Sequence, residues 1–306
     1  MLSNKEIVCP INLLDVAHKK RGVKAAIVNA GKTLPMISAQ DAVQENLIEP
    51  IFIGDKKEIL KSADELKWDI SNYELIHEPV ENNTAKVAAK LASKNKIKII
   101  VKGHIHTDVL MKEVLKREYN LLGKTRLSHI WHMTINKDDK PIIITDGALN
   151  VMPNVKTKMH ILKNVINFSH RIGIDKPKVS VLSATEEVLD SVQSSVEAKE
   201  ITELAKKENL NADVFGPLAF DNSISKKSAG IKGIKNAVAG EADVILVPNV
   251  ETGNALVKMM VYFMGACAAG VVIGGKVPIV ITSRSDDAPA RLASIAAAVV
   301  ALDWKN

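Results

Sequence analysis

The chain has 306 residues, a formal net charge of +6, and 46% hydrophobic but only 4% aromatic residues. That length suits about two domains with a sizeable core. The scarcity of stacking side chains, with no dense basic block, speaks against nucleic-acid binding. The lysine surplus reads first as a solvated surface, and second as a mild bias toward anionic small molecules.

In chain order, the first twenty residues carry acidic groups and no continuous apolar core, so no secretory signal is expected. Cys9 in this stretch and Cys267 far downstream offer neither a disulfide framework nor metal spacing; this is reduced, intracellular usage and predicts a cytoplasmic protein. Residues 23–29 and the run PIFIGD at 50–55 read as strands. Residues 84–93 read as a helix with Val87 and Leu91 on one stripe. KIKIIVKG at 96–103 is a strand that runs into Gly103-His104-Ile105-His106-Thr107. Thr107 suits an N-cap of a helix over 107–117. Lys102, His104 and His106 at that helix start suit an anion site, although a capped turn explains them equally.

Residues 127–140 are one candidate for a change of domain. PIIITDG at 141–147 is a strand ending in Asp146, and 158–172 is a helix with a broad apolar face. A strand at 178–184 follows. The loop at 216–225 then supplies Asp221, Asn222 and Ser223, all good helix starters. A strand at 242–249 ends in Asn249, with Glu251, Gly253 and Asn254 just beyond. Residues 261–281 are nearly uncharged, but glycines, Lys276 and Pro278 interrupt them. They read as a buried small-residue helix holding Cys267, a Gly-Gly turn and a strand over 276–283, rather than as a membrane span. The Gly-Gly turn is the second candidate for a change of domain. Ser283, Arg284, Asp286 and Asp287 close that strand, and 294–302 is a tightly packing helix.

Strands alternating with helices, each apolar run ending in Gly, Asp, Asn or Ser, predict mostly parallel sheets with ligands at the carboxyl ends of the strands. Ser, Arg and Asp together suit the holding of a phosphate-like anion while a proton is removed beside it. No Walker or GxGxxG pattern supports a nucleotide site.

Taken together, KGHIHTDVL, TRLSHIWHM, ITDGALNVMP, GPLAFDNSIS, ILVPNVETGN and VITSRSDDAPARLASIA resemble the phosphate acetyl/butyryltransferase family, with the motifs in family order from about Lys24 onward. The resemblance implies an α/β fold of two domains with mostly parallel sheets and an interdomain cleft, as in isocitrate and isopropylmalate dehydrogenases. The domains would be 1–131 plus 273–306, and 132–272 inserted between them. It implies the reaction acyl-CoA + phosphate = acyl phosphate + CoA in a homodimer. Coenzyme A is then a substrate, and no metal or other cofactor takes part. Ser283 and Arg284 match the pair that binds and polarises the acyl phosphate. The acetyl-branch base position falls on Ala290 here, so Asp286 or Asp287 would be the base, with Asp286 favoured. Substrate binding would fall to Lys102, His104, His106, Thr107, Arg126, Asp146, Asp221, Asn222, Asn249, Glu251 and Asn254. The chain has no arginine between Arg21 and Arg117, where the acetyl branch has one, and Gly147 stands where that branch often has cysteine. Both departures lean toward the butyryl branch. The implied activity is phosphate acetyltransferase first and phosphate butyryltransferase second; a binding protein without activity is a further alternative.

Overall fold

The computed structural model describes residues 2–282 and 286–302. In chain order the elements are α1 (Ile11–Ala17), β1 (Val23–Val28), α2 (Thr33–Gln44), β2 (Ile48–Gly54), α3 (Lys56–Glu65), β3 (Glu74–His77), α4 (Glu81–Ser93), β4 (Ile99–Lys102) and α5 (Thr107–Val114). There follow β5 (Ser128–Thr134), β6 (Ile142–Thr145), α6 (Val155–Arg171), β7 (Lys178–Leu182), α7 (Gln193–Lys207), β8 (Asp213–Leu218), α8 (Phe220–Ile224) and α9 (Lys226–Ile231). The chain then runs through β9 (Val244–Leu246), α10 (Val250–Met264), β10 (Cys267–Ile273), β11 (Ile279–Val280) and α11 (Ala288–Val300). Two compact units result: residues 7–124 with the segment from 269 onward, and residues 1–6 with 125–268.

In the first unit the strand order is β3-β2-β1-β4-β11-β10, parallel except for the antiparallel pair β10 and β11. Its strands are apolar without alternation because both faces are covered: Ile99, Ile100 and Val101 of β4 are all buried. One cover is α11, buried at almost every position from Ala290 to Val300, which packs against α1 and α2. Its alanines leave room for close approach, and Ser294 Oγ accepts the Gly270 N–H of β10 at 2.9 Å. In the second unit the order is β5-β6-β9-β7-β8, parallel except for β5 against β6. Met133, Ile144, Leu182, Ile245, Val247, Val257, Ala266 and Ala268 form one core there.

The structure departs from the sequence reading in several places. Residues 261–273 are not one helix. The helix stops at Met264, where Gly265 adopts φ 64, the left-handed cap conformation that glycine enters without strain. A side chain at Gly265 would also meet Lys5 Cβ at 2.8 Å and Ser3 Oγ at 2.9 Å. Beyond this cap the chain enters the buried strand β10, so Cys267 opens a strand rather than lying in a helix. Residues 128–134, expected as part of a connecting loop, form β5, whose His and Thr residues conceal it from an apolar count. In the stretch expected as a strand over 276–283, the described residues give only Ile279–Val280 as strand.

Candidate active site

Two groups of strand-end loops carry the residues singled out by the sequence, one in each unit.

In the first unit the loops follow β1, β4 and β11. Parallel pairing sets Lys102 beside Val28 and Val101 beside Val280, so the three strands finish at one level. Gly103 lets the backbones cross closely, since a Cβ there would lie 2.4 Å from the Val28 carbonyl oxygen. Its N–H donates to that oxygen, the His104 N–H donates to Asn29 O, and Asn29 Nδ2 donates back to His104 O at 2.5 Å. Lys102 is buried and its Nζ donates to Thr282 O at 3.4 Å. Ser283 and Arg284 come next in sequence and lie outside the described residues.

Beyond them, Asp286 is half-buried and Asp287 is the exposed N-cap residue of α11, without a side-chain capping bond. Arg291 is buried in the first turn of that helix. It donates through Nε to Asp286 O at 3.0 Å and through Nη1 to Thr282 Oγ1 at 3.1 Å. Burial pulls the Arg291 pKa below its usual value, and the Asp286 charge opposes the shift. Thr282 thus accepts from both buried cations, one at each of its oxygens.

The Gly103–Thr107 turn is arranged differently from expectation. His106, not Thr107, is the N-cap residue of α5, and no side chain of its own caps the helix. Glu81 at the start of α4 holds the N-cap residue itself. Its Oε1 accepts from both the backbone N–H and Nδ1 of His106, each at 2.8 Å. The backbone N–H bond, then the ring bond, hold the Glu81 carboxyl below its usual pKa. His104, His106 and Thr107 are exposed.

In the second unit the loops after β6 and β9 dock on one another. Gly147 and Gly253 meet backbone to backbone: a Cβ on Gly253 would lie 2.7 Å from the Gly147 Cα. The Val247 N–H donates to Thr145 O, the Val250 N–H to Val151 O, and Asn254 Nδ2 to Gly147 O at 3.4 Å. Asp146 is buried, and its carboxylate accepts from the N–H groups of His129, Ala148 and Leu149 and from Asn150 Nδ2, at 2.7 to 3.0 Å. His129 is fully buried against Trp131, with ring centroids 4.4 Å apart, and neither ring nitrogen has a hydrogen-bond partner. Burial pushes its pKa down to about 4 against the opposing Asp146 charge; His132, equally buried, also falls to about 4. Asn249 caps α10, accepting from the N–H and Oγ1 of Thr252 at 2.9 and 2.7 Å. Glu251 is exposed in the first turn of that helix.

Other expected residues have separate partners. Asn222 is buried and donates to Glu186, which also pairs with Lys232 at 3.0 Å; Asp221 beside it is exposed. Arg126 is exposed, and its carbonyl accepts from Asn164 Nδ2 at 2.8 Å. Among the described residues no group of His, Cys, Asp or Glu is placed to hold a metal ion.

The sequence reading passed over Glu81, Arg291, Thr282 and His129. Of these Arg291 had a signal: a lone arginine within the Ala-rich run APARLASIA is costly to bury unless it serves polar partners.

The family model for phosphate acetyl/butaryl transferase matches residues 72–299. The phosphate acetyltransferase of Rickettsia prowazekii is 39% identical, over 93% of this chain and 82% of that protein. The phosphate butyryltransferase of Clostridium acetobutylicum is 32% identical, over 92% and 94%. A branched-chain phosphotransacylase from Enterococcus faecalis superposes with a TM-score of 0.81 at 31% identity, covering 91% of this chain and 98% of its own. With the family's motifs standing at the strand ends of both units, the chain belongs to the phosphate acetyl/butaryl transferase family, whose members are acyltransferases.

Proposed function

We propose that the protein exchanges an acyl group between coenzyme A and inorganic phosphate, with acetyl-CoA as the preferred substrate, and that Ser283, Arg284 and Asp286 carry the chemistry. One observation supports this most: the end of β11 is held by two buried cations, Lys102 and Arg291, at the residue just before Ser283. An arginine offers paired donors to phosphate oxygens, so Arg284 takes the phosphate. The Ser283 hydroxyl donates to the thioester oxygen as it becomes an oxyanion. In the reverse direction a thiol that is mostly protonated near neutral pH needs a base, and Asp286 takes its proton, with Asp287 as the alternative. Transfer is direct, without an acyl-enzyme: Cys267 is buried in β10. Neither a metal nor a resident cofactor enters this scheme, coenzyme A being a substrate.

His104, His106, Thr107, Arg126, Asp221, Glu251 and Asn254 are proposed to meet substrate. Asp146, Asn222 and Asn249 are proposed to shape its walls, since their side chains already serve their own loops. The two units would be the domains expected near 1–131 plus 273–306 and 132–272.

A butyryl preference is the second reading. Gly147 and the absence of an arginine between Arg21 and Arg117 favour it. Phosphate-dependent CoA release, measured as kcat/KM for acetyl-, propionyl- and butyryl-CoA side by side, decides between the two. The expected order is acetyl first, the butyryl reading reverses it, and no phosphate-dependent release from any of the three refutes acyl transfer.

The proposal extends to a cytoplasmic homodimer. Neither Cys9 nor Cys267 is in a disulfide, and no described helix is long and apolar enough to cross a membrane. On α10, Met259 is 60% and Phe263 55% exposed, beside an apolar groove of about 600 Å³ lined by Ile142, Phe220, Ile224, Met260 and Met264. Light scattering on the purified protein should give twice the chain mass, and Phe263→Glu should lower it toward one chain. A wild-type protein that runs as a monomer at micromolar concentration refutes the dimer.

A further inference from the structure

We propose that Arg291 is a positioning residue for the transfer reaction, clamping the backbone of Asp286 to Thr282 so that the carboxylate of Asp286 is held in place as the base. The inference rests on the functional reading above, which makes Asp286 that base.

Arg291 is 5% exposed in a helix otherwise made of small and apolar residues, with Ala290, Ala293 and Ser294 buried around it. A buried guanidinium is poor material for stability. Desolvation of the charge is costly, and replacement by a well-packed apolar side chain is often neutral or stabilising. What the arginine supplies is geometry. Its planar fork reaches two acceptors at once, Asp286 O through Nε and Thr282 Oγ1 through Nη1, which a lysine ammonium does less well. These acceptors stand on either side of 283–285, so the distance between the flanks is set by one rigid group. Thr282 in turn accepts from Lys102 at its carbonyl, which joins the clamp to the end of β4. The backbone N–H of Arg291 donates to Asp287 O at 3.1 Å, so the clamp is also fixed to the first turn of α11.

The test measures phosphate-dependent CoA release from acetyl-CoA by the purified full chain, with thermal unfolding as a check on folding. Arg291→Met should lower kcat about 10- to 100-fold, the scale of a small misplacement, while both KM values stay within about threefold. Thr282→Val and Arg291→Lys should each lower kcat less, in the same direction. The double variant Arg291→Met with Asp286→Asn should be no slower than Asp286→Asn alone, because the arginine acts through the aspartate. A structural role would not give that coupling. A wild-type kcat in folded Arg291→Met, or losses that multiply in the double variant, overturns the inference. If Arg291→Met does not fold, unchanged kcat in both Arg291→Lys and Thr282→Val overturns it. A wild-type rate in Asp286→Asn removes the base itself and refutes the functional reading instead.

Discussion

The two groups of strand-end loops solve opposite problems. In the second unit a buried carboxylate, Asp146, is surrounded by donors from its own loop and from β5. In the first, buried cations from β4 and α11 converge on the oxygens of Thr282. The carboxylate spends its acceptor capacity on scaffold. The cations hold the end of a strand from which the matched Ser-Arg pair continues. A charged residue at a strand end is therefore not by itself a sign of chemistry; where its hydrogen bonds go separates the two uses.

Four experiments break or sharpen that contrast. Asp146→Ala strands three backbone N–H groups and removes one of the two Asn150 amide bonds, and should cost about 3–5 kcal/mol in urea unfolding. If Asp146→Asn keeps its stability yet loses turnover, Asp146 is not scaffold and the contrast fails.

Acid should act next, through His129 beside Asp146 and His132 further along β5. Their folded pKa values, about 4, lie below the ordinary 6.5. The unfolded chain therefore takes up protons first, so the contribution of each neutral imidazole is intact above pH 6.5 and is lost as pH falls toward 4. At pH 5 the loss is about 2 kcal/mol per histidine. A melting temperature that does not change between pH 7 and pH 5 would contradict this.

Gly253→Ala should cost about 1–3 kcal/mol, because the new methyl meets the Gly147 backbone and one loop must move. A fully stable, fully active variant would show that the close approach is unnecessary. Smallest of the four, Glu81→Gln should change stability by less than about 1 kcal/mol, since the His106 pair is exposed. A large fall in turnover with unchanged stability would make the Glu81–His106 pair part of the chemistry.

Much of this arrangement is legible in the sequence. Apolar runs such as IIVK and IIIT announce strands buried on both faces, and the Gly or Asp after each marks the turn. The features that stay hidden have physical causes. β5 escapes because its buried face carries His and Thr, which read as surface until a partner strand and α6 cover them. β10 reads as helix because its alanines suit helix packing as well as a buried strand, and only Gly265, in the left-handed conformation, and Ala266 separate it from α10. One donor to Asp146, the His129 N–H, comes from 17 positions away, and the Arg291 clamp reaches Thr282 9 positions away. Spacing along the chain therefore draws attention to Asp146 and Asp286 but not to the partners around them.

The order of strands also has a temporal meaning. On the ribosome all of the second unit except residues 1–6 emerges as one stretch, 125–268, so its five strands are made in succession. Those of the first unit are not. β4 lacks its neighbour β11, and α1 and α2 lack the cover of α11, until all of the second unit has been synthesised. The nascent chain thus carries β4 without one parallel neighbour until β11 has been made.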